Sequence, residues 1–275
     1  MKTRLYWILA LVITLAAAYY QRTTGPTRPK KVIININNTT YKFKFVRTHG
    51  GTDDCEIILN IPDTEVNGKL FYKRFPTNDE WTVADMIRDG ETLKASLPQQ
   101  PPAGKLAYYL KLETRNETVD VSSGDPVIIR FKGDVPAIVM VPHILLMFIA
   151  MLLSTLAGLL AIVKHQRYRF YGILTVIFFF TGGLILGPVV QYYAFGEAWT
   201  GIPFGWDLTD NKTLISFIVW LVAVILNLKK KRPAFVILAA VVLLVIYSIP
   251  HSLFGSEFDY TSGEITQGFI NFLVY

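Results

Sequence analysis

Residues 135–163 and 170–194 contain no Asp, Glu, Lys or Arg, and this constrains the fold more than any other feature of the chain. A helix needs about 20 apolar residues to cross a hydrocarbon core of about 30 Å, and both runs are long enough. Residues 213–228 and 233–249 are shorter but equally free of charge, and they are dominated by Ile, Leu, Val, Phe and Ala. A helix resting on a water-soluble core would carry a polar stripe at the 3.6-residue period, which these four runs lack. Residues 135–250 are therefore expected to form a four-helix transmembrane bundle.

The cations set its orientation. One short turn holds Lys164, His165, Arg167 and Arg169, and the other holds Lys229, Lys230, Lys231 and Arg232. Short loops rich in Lys and Arg stay on the cytoplasmic side. The connection 195–212 instead carries Glu197, Asp207 and Asp210 against Lys212 alone, and the tail 251–275 carries Glu257, Asp259 and Glu264 with no cation. Both are expected outside, on the same face as everything before residue 135. The setting this implies is a bacterial inner membrane with its decorated face toward the periplasm.

With 275 residues, 52% of them hydrophobic, the chain suits two domains, one in lipid. The net charge of +6 calls for no nucleic-acid partner, because the excess of cations over carboxylates falls in the two turns and beside the first apolar run. Residues 1–20 place Lys2 and Arg4 ahead of that run. This is the plan of a signal peptide, with Ala16, Ala17 and Ala18 as a small-residue cleavage site. The same run, flanked by Tyr19 and Tyr20, is also just long enough for an uncleaved anchor. Either exports the residues C-terminal to it, and Gly25, Pro26 and Pro29 mark residues 21–30 as a linker. The only cysteine, Cys55, excludes an intramolecular disulfide. It lies beside Asp53 and Asp54, which disfavour a thiolate, so it reads as a strand residue and not as a nucleophile. The chain has no CxxCH, the signature of covalent c-type haem.

From 31 to 134 the apolar period changes to two. Short runs around Ile34, Phe43, Ile57, Phe71, Ala95, Tyr109 and Ile129 are β-branched or aromatic. Turn residues separate them: Asn37 and Asn38, Gly50 and Gly51, Asn67 and Gly68, Asp89 and Gly90, and Gly124 with Asp125. About seven strands at this spacing describe a β-sandwich. The middle of this region carries Gly68, Phe71 and Tyr72, then Trp81, Met86, Gly90, Leu97 and Pro98, then Gly104, Tyr108 and Tyr109. Over residues 55–115 this resembles the fibronectin type III or Ig-like modules of bacterial surface proteins. The resemblance implies a sandwich fold and a role as spacer, docking surface or carbohydrate contact, and it implies no catalysis. The whole chain is then an α+β multidomain membrane protein, an N-terminal Ig/FnIII-like β-sandwich followed by a four-helix transmembrane bundle.

Polar residues at the edge of the bundle are the candidates for a site. His49 and His165 fall in a glycine-rich turn and a basic turn and read as solvated. His143 lies within the first turns of the first bundle helix and His251 at the end of the fourth, and antiparallel topology brings both to the outer face at similar depth. Two imidazoles at one level are what axial ligation of a b-type haem requires, or two ligands of a divalent metal. Trp199, Trp206, Asp207, Asp210, Glu257 and Asp259, from the outer loop and tail, would then supply a lid or second-rank partners. The competing reading leaves both histidines at headgroup level, the tryptophans in an aromatic belt, and Asp210 or Asn211 as the N-cap of a helix starting near Thr213. Gly182, Gly183 and Gly187, with Ala150, Ser154 and Gly158, would make room for a ring or simply let helices pack closely.

These residues support two functional classes. One is an electron-transfer module with haem b on His143 and His251, similar in topology alone to four-helix b-type cytochromes, which often carry more than one His pair. The other is an accessory or scaffold subunit without a cofactor, whose exported sandwich docks another membrane or exported protein. A metal-dependent hydrolase lacks a third histidine or a histidine–glutamate helix motif.

Overall fold

The structure, a computed structural model, describes residues 2–250 and 255–266. Its described residues form two compact units, a helical one from residues 2–26, 135–250 and 255–256 and a β unit from residues 27–134 and 257–266.

The chain opens with α1 (Lys2–Thr24), which precedes every strand. The order is thus helix, strands, helices, and not a sandwich followed by a bundle. The other helices are α2 (Ala137–Ile162), α3 (Tyr168–Phe179), α4 (Gly187–Phe195), α5 (Leu208–Lys229) and α6 (Pro233–Ser248). A π-helical stretch, Phe180–Leu186, joins α3 to α4, so Tyr168–Phe195 is one 28-residue rod. Among the described residues, four rods are long and apolar enough to cross a membrane: α1, α2, the α3–α4 rod and α5. α6 has 16 residues and is shorter. The protein is therefore read as a membrane protein.

Packing is governed by small residues. In α1, Ala10, Thr14 and Ala17 are buried at helical spacing, and Trp7 meets Tyr171 edge-on with ring centroids 5.5 Å apart. The first segment is thus part of the helical core. In α2, Ala150, Ser154, Ala157 and Ala161 are buried along one side. A Cβ on Gly158 would lie 2.6 Å from the Cβ of Ala240 in α6, so only glycine permits that approach. The small-residue stripe expected in α2 serves helix packing here.

The π-helical stretch has a local cause. Pro188 has no N–H to return to the preceding turn, and the ladder widens there, with Gly187 N–H reaching back to the Gly182 carbonyl.

The β unit contains β1 (Lys30–Ile36), β2 (Thr39–Phe45), β3 (Thr48–Gly50), β4 (Cys55–Asn60), β5 (Asn67–Arg74), β6 (Thr82–Asp85), β7 (Ile87–Asp89), β8 (Thr92–Leu97), β9 (Lys105–Glu113), β10 (Thr118–Val121) and β11 (Val127–Lys132). Two short strands from the end of the chain, β12 (Glu257–Phe258) and β13 (Ile265–Thr266), belong to it as well. One sheet runs β3-β11-β9-β5-β6, with β10 also on β9; another runs β4-β8-β7; β1 pairs with β2 and β12 with β13. Alternation does what a period of two requires: Cys55, Ile57 and Leu59 are buried while Glu56, Ile58 and Asn60 face out. The three larger sheets close on one core that includes Ile36, Phe45, Leu59, Leu70, Leu97, Tyr108, Leu110 and Phe131. Asn37 and Asn38 both take positive φ in the β1–β2 turn, the left-handed pair that a two-residue hairpin favours.

Residues 257–266 are tied to the β unit and do not form a free tail. The Phe258 N–H donates to the Ala103 carbonyl at 3.2 Å. The Tyr260 hydroxyl accepts from the Lys105 N–H at 3.0 Å, and the Lys105 ammonium pairs with the Glu257 carboxylate. Burial holds that ammonium below the usual lysine range even with the carboxylate beside it.

Candidate functional site

The polar side chains of the helical unit gather where the α4–α5 loop meets the first turn of α5. The helix begins at Leu208, and Asp207 is its N-cap, with Oδ1 accepting from the Thr209 N–H at 2.7 Å and the Asp210 N–H at 3.2 Å. This corrects the expectation of a cap at Asp210 or Asn211. Its other oxygen accepts from the Ser256 hydroxyl at 3.3 Å.

Asp210, in the first turn of the helix, folds the loop onto it. Its Oδ2 accepts from the Thr200 N–H at 2.6 Å, the Thr200 hydroxyl at 3.2 Å and the Gln191 amide at 3.1 Å. Asn211 accepts from the Ile202 N–H at 2.8 Å. Gly201 lies between these anchors, where a Cβ would come within 2.6 Å of the Asp210 Cβ. Asp207, Asp210 and Thr200 are all buried.

Lys212 is buried too, and its ammonium donates to the carbonyls of Ile249 at 3.0 Å and Pro250 at 3.4 Å. From α1, the Gln21 amide donates to the Tyr247 carbonyl at 2.7 Å. Two other helices thus satisfy carbonyls at the C-terminal end of α6, the negative end of its dipole. Neither Lys212 nor Gln21 stands out in the sequence, because both fall in apparent connecting segments. A lysine one turn inside an apolar helix is the available signal.

His143 sits on the second turn of α2 with its Nδ1 2.9 Å from the Gly182 carbonyl, and a carbonyl fixes that nitrogen as the donor. Gly182 allows the approach, since a Cβ there would lie 2.9 Å from the Leu146 Cβ, whereas a Cβ on Gly187 would meet the His143 ring at an ordinary contact distance of 3.9 Å. The proton on Nδ1 leaves Nε2 with the ring's lone pair. His251 lies outside the described residues, so the expected pairing of the two histidines is not part of this geometry.

The remaining candidates separate. Trp199 Nε1 donates to the Ile202 carbonyl at 3.1 Å within its own loop. Trp206 and Phe204 are exposed, at 61% and 81%, as residues of an interfacial aromatic belt are. Glu257 and Asp259 belong to the β unit, where Glu257 pairs with Lys105 and the Asp259 carboxylate accepts from the Thr261 N–H at 2.8 Å. No group of three His, Cys, Asp or Glu side chains gathers at metal-binding spacing among the described residues. No protein-family model, curated protein or solved structure matches the chain.

Proposed function

We propose that the protein is a membrane-anchored accessory or docking subunit of a bacterial inner membrane, with α1 retained as an anchor helix. One observation carries this reading: the buried polar groups at the decorated end of the helices hold the protein's own backbone. Asp207 caps α5, Asp210 fastens the loop, and Lys212 and Gln21 cap α6. Such an end is built to keep its shape. The β unit, read as an Ig-like or fibronectin-like sandwich, then offers the surface on which another membrane or exported protein docks. The basic turns 164–169 and 229–232 support a cytoplasmic position for the opposite end of the helices, which carries them, and an external one for the loop 196–206.

A second reading keeps the haem. Its support is the donor state of His143: with Nδ1 given to the Gly182 carbonyl, Nε2 would be the nitrogen offered to the haem iron, and His251 would supply the second ligand. A visible spectrum of the detergent-purified protein separates the readings. A docking subunit is colourless. A reduced-state Soret and α band abolished by His143→Ala or His251→Ala would establish the cytochrome and remove the scaffold reading.

A further inference from the structure

At the end of the helical unit that carries the α2–α3 and α5–α6 turns, cations are plentiful and carboxylates absent. Lys164, Arg167, Lys229, Lys230, Lys231 and Arg232 are all exposed. The sequence has no Asp or Glu from 135 to 196 or from 211 to 256, so this end has no nearby acidic residue of its own helices to pair with.

The turn bearing four of these cations is held in place. Asn227, buried in the last turn of α5, accepts from the Tyr168 hydroxyl at 2.9 Å and from the Arg232 N–H at 2.7 Å. Its amide donates to the Ala223 carbonyl at 2.8 Å and the Arg232 carbonyl at 3.0 Å. A single buried side chain thus fastens the start of α3, the end of α5 and the start of α6. The cations around it project from a fixed backbone.

Beside this network lies a small, shallow cleft among α3, α5 and α6, walled by Gly172, Ile173, Val224, Asn227, Leu228 and Val236, with Arg169 at its mouth. Gly172 contributes no side chain, and the wall behind it is the Trp220 ring, 3.2 Å from where a Cβ would sit. Arg169 is half-buried, and one of its N–H groups donates to the Leu228 carbonyl. A guanidinium carries five donors in a planar fork, so this contact leaves donors for a phosphate. Leu228 in the cleft wall is an exposed apolar residue, at 57%, and so is Phe170, next to Arg169 in the chain, at 58%.

We infer that this end binds an anionic phospholipid, its phosphate on Arg169 and the neighbouring basic turns and one acyl chain along the cleft. Charge complementarity selects an anion, and the apolar walls below the arginine select one joined to hydrocarbon. A free phosphate would gain nothing from Ile173, Val224 or Val236. A zwitterionic lipid would carry its own cation toward the basic turns. The inference rests on the membrane reading and holds under either proposed function.

The test is native mass spectrometry of the full-length protein in detergent, with phosphatidylglycerol or phosphatidylcholine of matched chains added. The wild type retains phosphatidylglycerol in preference. Arg169→Gln, which keeps a donor for the Leu228 carbonyl, loses roughly fivefold of that retention, as for removal of one interfacial cation. Lys230→Gln with Lys231→Gln, both on exposed residues, loses retention without a change in melting temperature. Gly172→Leu reduces retention of both lipids by filling the cleft. Equal retention of the two lipids by the wild type, or phosphatidylglycerol retention unchanged in both Arg169→Gln and the double lysine variant, would overturn the inference.

Discussion

The imidazole of His143 donates from Nδ1 to the carbonyl of Gly182 across 2.9 Å, joining the second turn of α2 to the π-helical stretch between α3 and α4. The same carbonyl accepts the N–H of Gly187, so one oxygen serves both the widened ladder and the neighbouring helix. Gly182→Ala places a Cβ 2.9 Å from the Leu146 Cβ and 3.3 Å from the Met147 nitrogen, where backbone leaves little room to yield. It is expected to destabilise the helical unit by about 1–3 kcal/mol, and His143→Ala by about 1 kcal/mol. Thermal melting in detergent, followed by circular dichroism, gives both values.

Gly158 and Ala240 offer a compensation experiment. Gly158→Ala alone puts two methyl groups 2.6 Å apart and is expected to lower the melting temperature. Ala240→Gly removes the obstacle. The double variant is expected to melt closer to the wild type than Gly158→Ala does, with a coupling of about 0.5–3 kcal/mol in a double-mutant cycle. Additive losses would mean that the helices do not meet at these residues.

The two loop carboxylates are expected to differ in how they tolerate change. Asp210→Ala strips an acceptor from Thr200 and Gln191 inside a buried site, at a cost of about 1–3 kcal/mol for each donor left unsatisfied. Asp210→Asn retains one acceptor oxygen and loses less. Asp207→Ala removes a helix cap, worth about 1 kcal/mol. Hydrogen exchange over residues 196–211 should rise most in Asp210→Ala.

Alkaline stability of the β unit should depend on Cys55. Burial pushes this thiol from its ordinary value near 9.0 up to about 11. The folded state therefore keeps a proton that the unfolded state releases. Its contribution is complete below pH 9 and is lost as pH climbs from about 9 to 11, amounting to about 3 kcal/mol. The lowered pKa of Lys105 acts with the opposite sign, since its unfolded form holds the proton longer. Cys55→Ala should flatten the loss of melting temperature between pH 9 and 11 and leave the neutral-pH slope unchanged.

Much of this architecture is written in local patterns. The uncharged runs mark the bundle helices because no water-facing stripe interrupts them, and alternation marks the seven longer strands. β3, β6, β7 and β10 are not legible, being three or four residues long and defined by their partners and not by a period. The apolar run at residue 213 starts five residues after α5 itself, because the helix's first turn, Thr209 to Lys212, is polar; that offset moves the expected cap from Asp207 to Asp210 and hides Lys212 among loop residues. The return of residues 257–266 to the β unit rests on contacts made across about 155 residues, such as Tyr260 with Lys105, which no local pattern announces. Gly182 is conspicuous in the sequence for its missing side chain, whereas its carbonyl carries the contact with His143.

An exported docking module requires one topology above all: β unit outside, basic turns inside. Single cysteines in a Cys55→Ala background test it directly, one at Asn116→Cys between β9 and β10 and one at Gln166→Cys between α2 and α3, both at exposed positions. A maleimide that cannot cross membranes, applied to spheroplasts, should label Asn116→Cys at once and Gln166→Cys only after lysis. Labelling of both before lysis, or of Gln166→Cys alone, would contradict the arrangement and with it the docking role.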